Sequence, residues 1–216
     1  MIKGIIFDFD GVILDSANIK TEAFEELFRS YTDDISEIMR YHKENSGYSR
    51  FIKFEYFFTE ILKKEYSDDL GLQLSKKFDL LTINKILKAS KVDGIERFLS
   101  ETNLQCFIAT GTPQDDIVMI TKERMLYDYF IELIGTPTKK ADAVNMIMGK
   151  YDLRPEELVF IGDAESDQKA ADTTGLTFIP RLTSENLDIY SKHPYAIKDF
   201  THFEEMLVKV EEDISE

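Results

Sequence analysis

The chain has a single cysteine, Cys106, so no disulfide can form within it. Cys106 lies in the apolar run "LQCFIAT", where a small core residue is expected. Basic residues are scarce: 26 Lys and Arg stand against 41 Asp and Glu, a formal net charge of -15. That balance argues against nonspecific binding to nucleic acid or to an anionic membrane, where lysines and arginines must neutralise phosphates. It leaves room for a small anionic ligand, because a metal ion or a few basic residues can invert the field inside a cleft. No apolar run approaches the about 18 residues that a membrane span needs. The N-terminus lacks a basic region followed by a long apolar one, so no secretory signal is expected and the expected setting is cytoplasmic. There is no internal repeat, no low-complexity tract and no tryptophan; the aromatics are 16 Phe and 10 Tyr.

What is present is a chain of 216 residues, 43% hydrophobic, long enough for one large domain or a domain plus a small insert. Short apolar runs recur: "GIIFDFD", "LQCFIAT", "FIELIG", "ELVFIGD" and "LTFIPRL". Each suits a strand buried on both faces. Between them, "GIERFLSETN", "QDDIVMITKERM", "KKADAVNMIMGKYD" and "DQKAADTTG" have the length and mixed polarity of surface helices. Alternating strands and helices predict an α/β fold with a mainly parallel sheet covered on both faces. "YAIKDF" and "THFEEMLVKVEE" are read as an added edge strand and a terminal helix.

One stretch breaks the alternation. From Ser16 to Ala89 there is no buried strand pattern, only helical ones. In "DSANIKTEAFEELFRSY", Ile19, Ala23, Phe24, Leu27, Phe28 and Tyr31 share one face at spacings of three and four. Asp15 or Ser16 is placed to cap its start. The expected organisation is a core made of residues 1–15 and 90–216, interrupted after its first strand by an all-helical unit over 16–89.

In open α/β sheets ligands bind beyond the carboxyl ends of the strands. Asp8 and Asp10 follow the first apolar run, Thr110 and Gly111 the second, and Gly162, Asp163 and Asp167 the fourth. Lys139 and Lys140 stand at the start of a helix. Singly, Thr110 also fits a turn residue, Asp167 a helix cap and the lysines a solvated surface. Together the acids carry a joint cost: crowded carboxylates repel unless a cation or a proton relieves them. Oxygen ligands suit a hard ion, and Mg²⁺ takes one or two carboxylates together with waters and phosphate.

These motifs, "DFDGVILDS", Thr110, a lysine opening a helix and "GDAESD", resemble in order the four motifs of the haloacid dehalogenase superfamily. The helical stretch after the first strand resembles that superfamily's C1 cap. The resemblance implies a Rossmann-like core with a five-stranded parallel sheet and a Mg²⁺-dependent phosphatase acting through an aspartyl phosphate. Carried over, Asp8 is the nucleophile and Asp10 the acid and base. Thr110 and the Gly111 backbone N–H hold the phosphoryl group, and a lysine offsets charge. Asp8, the backbone carbonyl of Asp10 and Asp163 hold Mg²⁺, with Asp167 ligating through water or orienting the site. Aligning "GTPTKKA" with a "G-S-P-T-T-K-A" pattern gives the lysine role to Lys140, with Lys139 as the alternative.

The acids distinguish reaction types. Superfamily dehalogenases need neither the metal nor the second aspartate. A mutase reading draws on "SGYSRF", similar to the "G-V-S-R" loop of β-phosphoglucomutase, which would give Arg50 a second substrate phosphate. Against it, Lys20 stands where that family has histidine, Asp167 is an acid where it has none, and no proline follows Lys140. Hydrolysis is favoured, with Arg50, Lys20 and Tyr48 contacting the rest of a small phosphorylated metabolite, a sugar phosphate first among them. A binding module without catalysis is the other class, but it should have lost one of the motif residues. A monomer or homodimer is expected.

Overall fold

The structure is a computed structural model and describes residues 1–45 and 48–215. Along the chain come β1 (Gly4–Phe7), α1 (Ala17–Phe28), α2 (Ser36–Glu44), α3 (Arg50–Tyr56) and α4 (Asp68–Ile86). Then follow α5 (Ile95–Glu101), β2 (Gln105–Pro113), α6 (Gln114–Glu123), β3 (Glu132–Thr136) and α7 (Lys140–Tyr151). The chain ends with β4 (Leu158–Gly162), α8 (Glu165–Thr174), β5 (Thr177–Pro180), α9 (Leu187–Tyr190) and α10 (Phe203–Ser215). The five expected strands form one parallel sheet in the order β3-β2-β1-β4-β5.

The apolar runs become strands because both faces of the sheet are covered. In β1 the alternation sends Ile5 and Phe7 to one core, with Cys106, Ile108, Val159 and Ile161, closed by Phe98 of α5, Ile117 of α6 and Phe203 of α10. Ile6 faces the other, with Phe107, Ala109 and Phe160, closed by Val144 of α7 and Ala171 of α8. β1 lies at the centre, paired with β2 and β4, so Phe7 is level with Ile108 and Ile161. The residues just past these positions are therefore neighbours. Cys106 is buried as expected, and burial pushes its thiol up to about 12.

Between α1 and α4 the described residues contain no strand. They build their own core from Phe24, Phe28, Phe54, Phe57, Phe58 and Phe78. Phe28 meets Phe57 edge to face, ring centres 4.8 Å apart at 83°. A π-helical turn, Phe57–Ile61, continues α3. The return to the sheet is pinned by Arg124, whose guanidinium donates to the carbonyls of Leu87 (2.9 Å) and Ala89 (2.6 Å) at the end of α4.

Two local expectations are corrected. "YAIKDF" forms no strand: Ile197 bridges the sheet edge at Arg181 only. Phe200 N–H then bonds the Asp93 carbonyl at 2.8 Å and its ring packs with Phe98 and Phe203, which draws the chain off the edge. Neither Asp15 nor Ser16 caps α1: Ser16, at the cap position, has αR rather than extended backbone, and its side chain is turned to donate to Asp10. No described helix is long and apolar enough to cross a membrane.

Phe28→Ala is expected to destabilise the protein by about 3–5 kcal/mol, since the aromatic cluster has no way to refill the space. Urea unfolding measures this, and a loss below about 1 kcal/mol would contradict the packing described.

Candidate active site

Asp8 directly follows β1 and is held there by its N–H, which bonds the Ile161 carbonyl at 2.9 Å. Its carboxylate is buried. Oδ2 accepts an ion pair from Lys140 at 3.0 Å, while Oδ1 is buried with no hydrogen-bond partner among the described residues. Lys140 opens α7 and also pairs with Asp167. Asp167 in turn accepts from the Ala164 N–H at 3.0 Å, at the start of α8. Lys140 therefore reaches Asp8, whereas Lys139 is exposed.

Two glycines allow these groups to meet. Gly11 has φ +77°, and a Cβ there would lie 2.0 Å from Asp163 Oδ2. A Cβ on Gly162 would lie 2.2 Å from that of Asp167. One carboxylate oxygen each from Asp8, Asp163 and Asp167 fall within 4.8 Å of one another. Burial first, then the charges of Asp8 and Asp167, push the Asp163 carboxyl well above its usual range. Burial also raises Asp167, with Asp8 adding to the rise and Lys140 opposing it. One lysine cannot balance three such acids. An all-oxygen donor set with excess negative charge fits a hard divalent cation such as Mg²⁺.

Asp10 occupies a different environment. Its Oδ1 accepts from Ser16 at 2.7 Å, and its Oδ2 from Thr112 at 2.8 Å and from Lys20. Lys20 also donates to the Thr112 hydroxyl at 2.9 Å. Burial pushes the Asp10 carboxyl up, but Lys20 and these hydrogen bonds overcome it and hold the group below its usual range. At neutral pH Asp10 is a carboxylate with every partner in place.

A narrow cavity of about 60 Å³ lies between the sheet's carboxyl edge and helices α1 to α4. Asp8, Asp10, Thr110, Gly111 and Asp163 line it from below, and Lys20, Tyr48 and Arg50 from above. Thr110, buried on β2, accepts the Thr112 N–H at 3.3 Å. Two residues expected to meet substrate are already engaged. Lys20 is spent on Asp10. Arg50 pairs with Asp79 of α4 and with Asp116 of α6 at 3.3 Å, and bonds Ser75 at 3.2 Å. It thus ties the helical stretch to the core. Of "SGYSRF", Ser46 and Gly47 lie outside the described residues.

Sequence reading missed Thr112, although it lies two residues past Thr110 on an extended strand and so on the same side. Ser16 passed as a helix cap. Asn186 carried no signal, yet its amide donates to the carbonyls of Asp163 (2.7 Å) and Arg181 (2.8 Å) and fixes the β4 end.

If the three acids repel one another, removing one should help the metal-free protein. In EDTA, Asp163→Asn is expected to be more stable than the parent by about 1–2 kcal/mol, read by thermal unfolding. Mg²⁺ should then stabilise the parent and not the variant. A variant less stable than the parent in EDTA would contradict the repulsion.

The geometry has relatives. The chain is 25% identical over 193 residues to a phosphoglycolate phosphatase of Vibrio vulnificus, covering 81% of each. It is 19% identical over 180 residues to a phosphorylated carbohydrates phosphatase of Thermotoga maritima, covering 81% of this chain and 82% of that one. Its fold is similar to that of β-phosphoglucomutase from Clostridium difficile, with TM-score 0.80, 19% identity and full coverage of both chains. The family model for haloacid dehalogenase-like hydrolases matches residues 5–180, taking in Asp8, Asp10, Thr110, Lys140, Asp163 and Asp167. With that match over most of its length, the chain belongs to the haloacid dehalogenase-like hydrolases.

Proposed function

We propose that the protein is a Mg²⁺-dependent phosphatase that hydrolyses a small phosphorylated metabolite through an aspartyl phosphate on Asp8. The observation that carries this reading is the Asp8 carboxylate, on a residue that lines the cavity: one oxygen is paired with Lys140, and the other is buried with no hydrogen-bond partner among the described residues. Such an oxygen is free to act as a nucleophile.

Asp8 Oδ1 attacks phosphorus, and the bond from phosphorus to the substrate oxygen breaks. Asp10 gives the departing oxygen a proton, then takes one from the water that hydrolyses the aspartyl phosphate. Asp10 begins as a carboxylate beside Lys20, and an arriving phosphoryl dianion raises its affinity for the proton it must donate. The Thr110 hydroxyl and Gly111 N–H hold the phosphoryl oxygens, and Lys140 keeps Asp8 in place and offsets its charge. Asp8, the Asp10 carbonyl, Asp163 and Asp167 would hold Mg²⁺. When bound, the ion supplies positive charge to the phosphoryl oxygens in a reaction governed by alignment and charge.

Residues 16–89 act as a cap over a core of 1–15 and 90–216, and the Arg50–Asp116 pair supports that reading as a cap-to-core link. The same pair disfavours a mutase, in which Arg50 would have to hold a second phosphate. The relatives' names put 2-phosphoglycolate and sugar phosphates first among compounds to try.

A panel of such phosphomonoesters with Mg²⁺, scored by phosphate release, tests the reading. Asp8→Asn is expected to lower turnover at least about 10³-fold, and EDTA to abolish it. Activity that survives Asp8→Asn would refute the mechanism. An isomerised product without phosphate release would indicate the mutase.

A further inference from the structure

Three cations line the cavity: Lys20, Arg50 and Lys53. Lys20 is paired with Asp10, and Arg50 with Asp79 and Asp116. Lys53, on α3, is 2% exposed and has no carboxylate within ion-pair distance among the described residues. Its ammonium has three N–H donors. Two go to His42, to Nδ1 at 3.1 Å and to the backbone carbonyl at 3.3 Å. The third has no partner among the described residues. The ring of Phe24, 5.3 Å away, offers only the weak attraction of an aromatic face.

The surroundings keep this charge uncompensated. Burial, then the charges of Lys53, Lys43 and Lys20, push His42 down to about 2, so its ring is neutral. Because an ammonium can only donate, His42 Nδ1 must accept and Nε2 carries the proton. Nε2 then donates to the Thr21 hydroxyl at 3.0 Å, and that hydroxyl donates to Glu185 at 3.0 Å. The nearest carboxylate on this path thus stands two neutral groups away. A buried cation without a counterion is costly. Burial first, with Lys20 and Lys140 adding and Glu185 opposing, lowers Lys53 to about 7. Phe24 and Phe78 line the same cavity and give it an apolar wall.

We infer that Lys53 anchors a second anionic group, a carboxylate or a second phosphate, at the end of the substrate remote from the phosphoryl group that Asp8 attacks. This rests on the phosphatase reading only for which end reacts. The substrate is then a phosphomonoester with an anionic tail on a short carbon frame. Its tail supplies the third N–H of Lys53 with an acceptor and its charge with a partner, while the carbons rest on the two phenylalanines. Lys53 is a specificity residue and takes no part in bond breaking.

Matched pairs of phosphomonoesters test this: 2-phosphoglycolate against 2-hydroxyethyl phosphate for a carboxylate tail, and fructose 1,6-bisphosphate against fructose 1-phosphate for a phosphate tail. The protein is expected to prefer the anionic member of at least one pair by about tenfold or more in kcat/KM, through KM. Which pair shows the preference identifies the tail. In Lys53→Gln that preference should collapse to within about threefold, and Lys53→Arg should restore part of it. Preference for no anionic member, or a preference that survives Lys53→Gln, overturns the inference. Binding without turnover separates its failure from that of the phosphatase reading. Phosphonoacetate, or ethane-1,2-bisphosphonate for a phosphate tail, should raise Tm more than methylphosphonate in the Mg²⁺-loaded protein, and Lys53→Gln should erase the difference. Equal shifts in the parent overturn the inference even if no phosphate is ever released.

Discussion

Three carboxylates, buried Asp8 and Asp167 and half-buried Asp163, crowd the carboxyl edge of a parallel sheet, where one lysine, Lys140, pairs with Asp8 and Asp167. The excess negative charge costs stability, and the fold is built to hold it in place. β1 is the central strand, so Asp8 cannot retreat. Gly11 and Gly162 leave no Cβ in the way, and Asn186 ties the Asp163 backbone to the loop after β5. Asp167 is fixed by the α8 N-terminus and Lys140 by α7. A site that repels itself is ready for a cation and for a group that spreads its charge over oxygens.

Asp10 is the counterpoint. A second carboxylate two residues from the first is held ionised by Lys20, Ser16 and Thr112, while Asp163 and Asp167 are driven toward their neutral forms. On the proposed reading, the two environments separate acid–base work from charge balance at one edge of the sheet. Arg50 and Lys20 bring the helical stretch into the same network, one through Asp116 of α6 and the other through Asp10 itself.

The sheet was legible because its strands are buried on both faces and read as unbroken apolar runs; "IIF" and "VFI" have few other uses in a chain this polar. The motif acids were legible because they follow those runs directly. What escaped was set by distant partners. Arg50 and Asp116 are 66 residues apart, and no local pattern foretells their pairing. Ser16 obeys the rule for a helix cap, yet its side chain is turned to donate to the buried Asp10 carboxylate and does not accept from the first backbone N–H groups of α1. "YAIKDF" has the composition of a strand, but Phe200 is drawn to the aromatic cluster under α5. Nothing local in "RFIKFEY" marks Lys53 as a lysine that folding buries.

The central claim is that the unpartnered oxygen of Asp8 is the nucleophile. Its most direct test is acid quenching of the Mg²⁺-loaded protein after incubation with acetyl phosphate, followed by mass spectrometry of the N-terminal peptide. The account predicts an acid-stable, base- and hydroxylamine-labile phosphoryl adduct on Asp8 and on no other residue. An adduct on a different side chain, or none under conditions where phosphate is released, would contradict it.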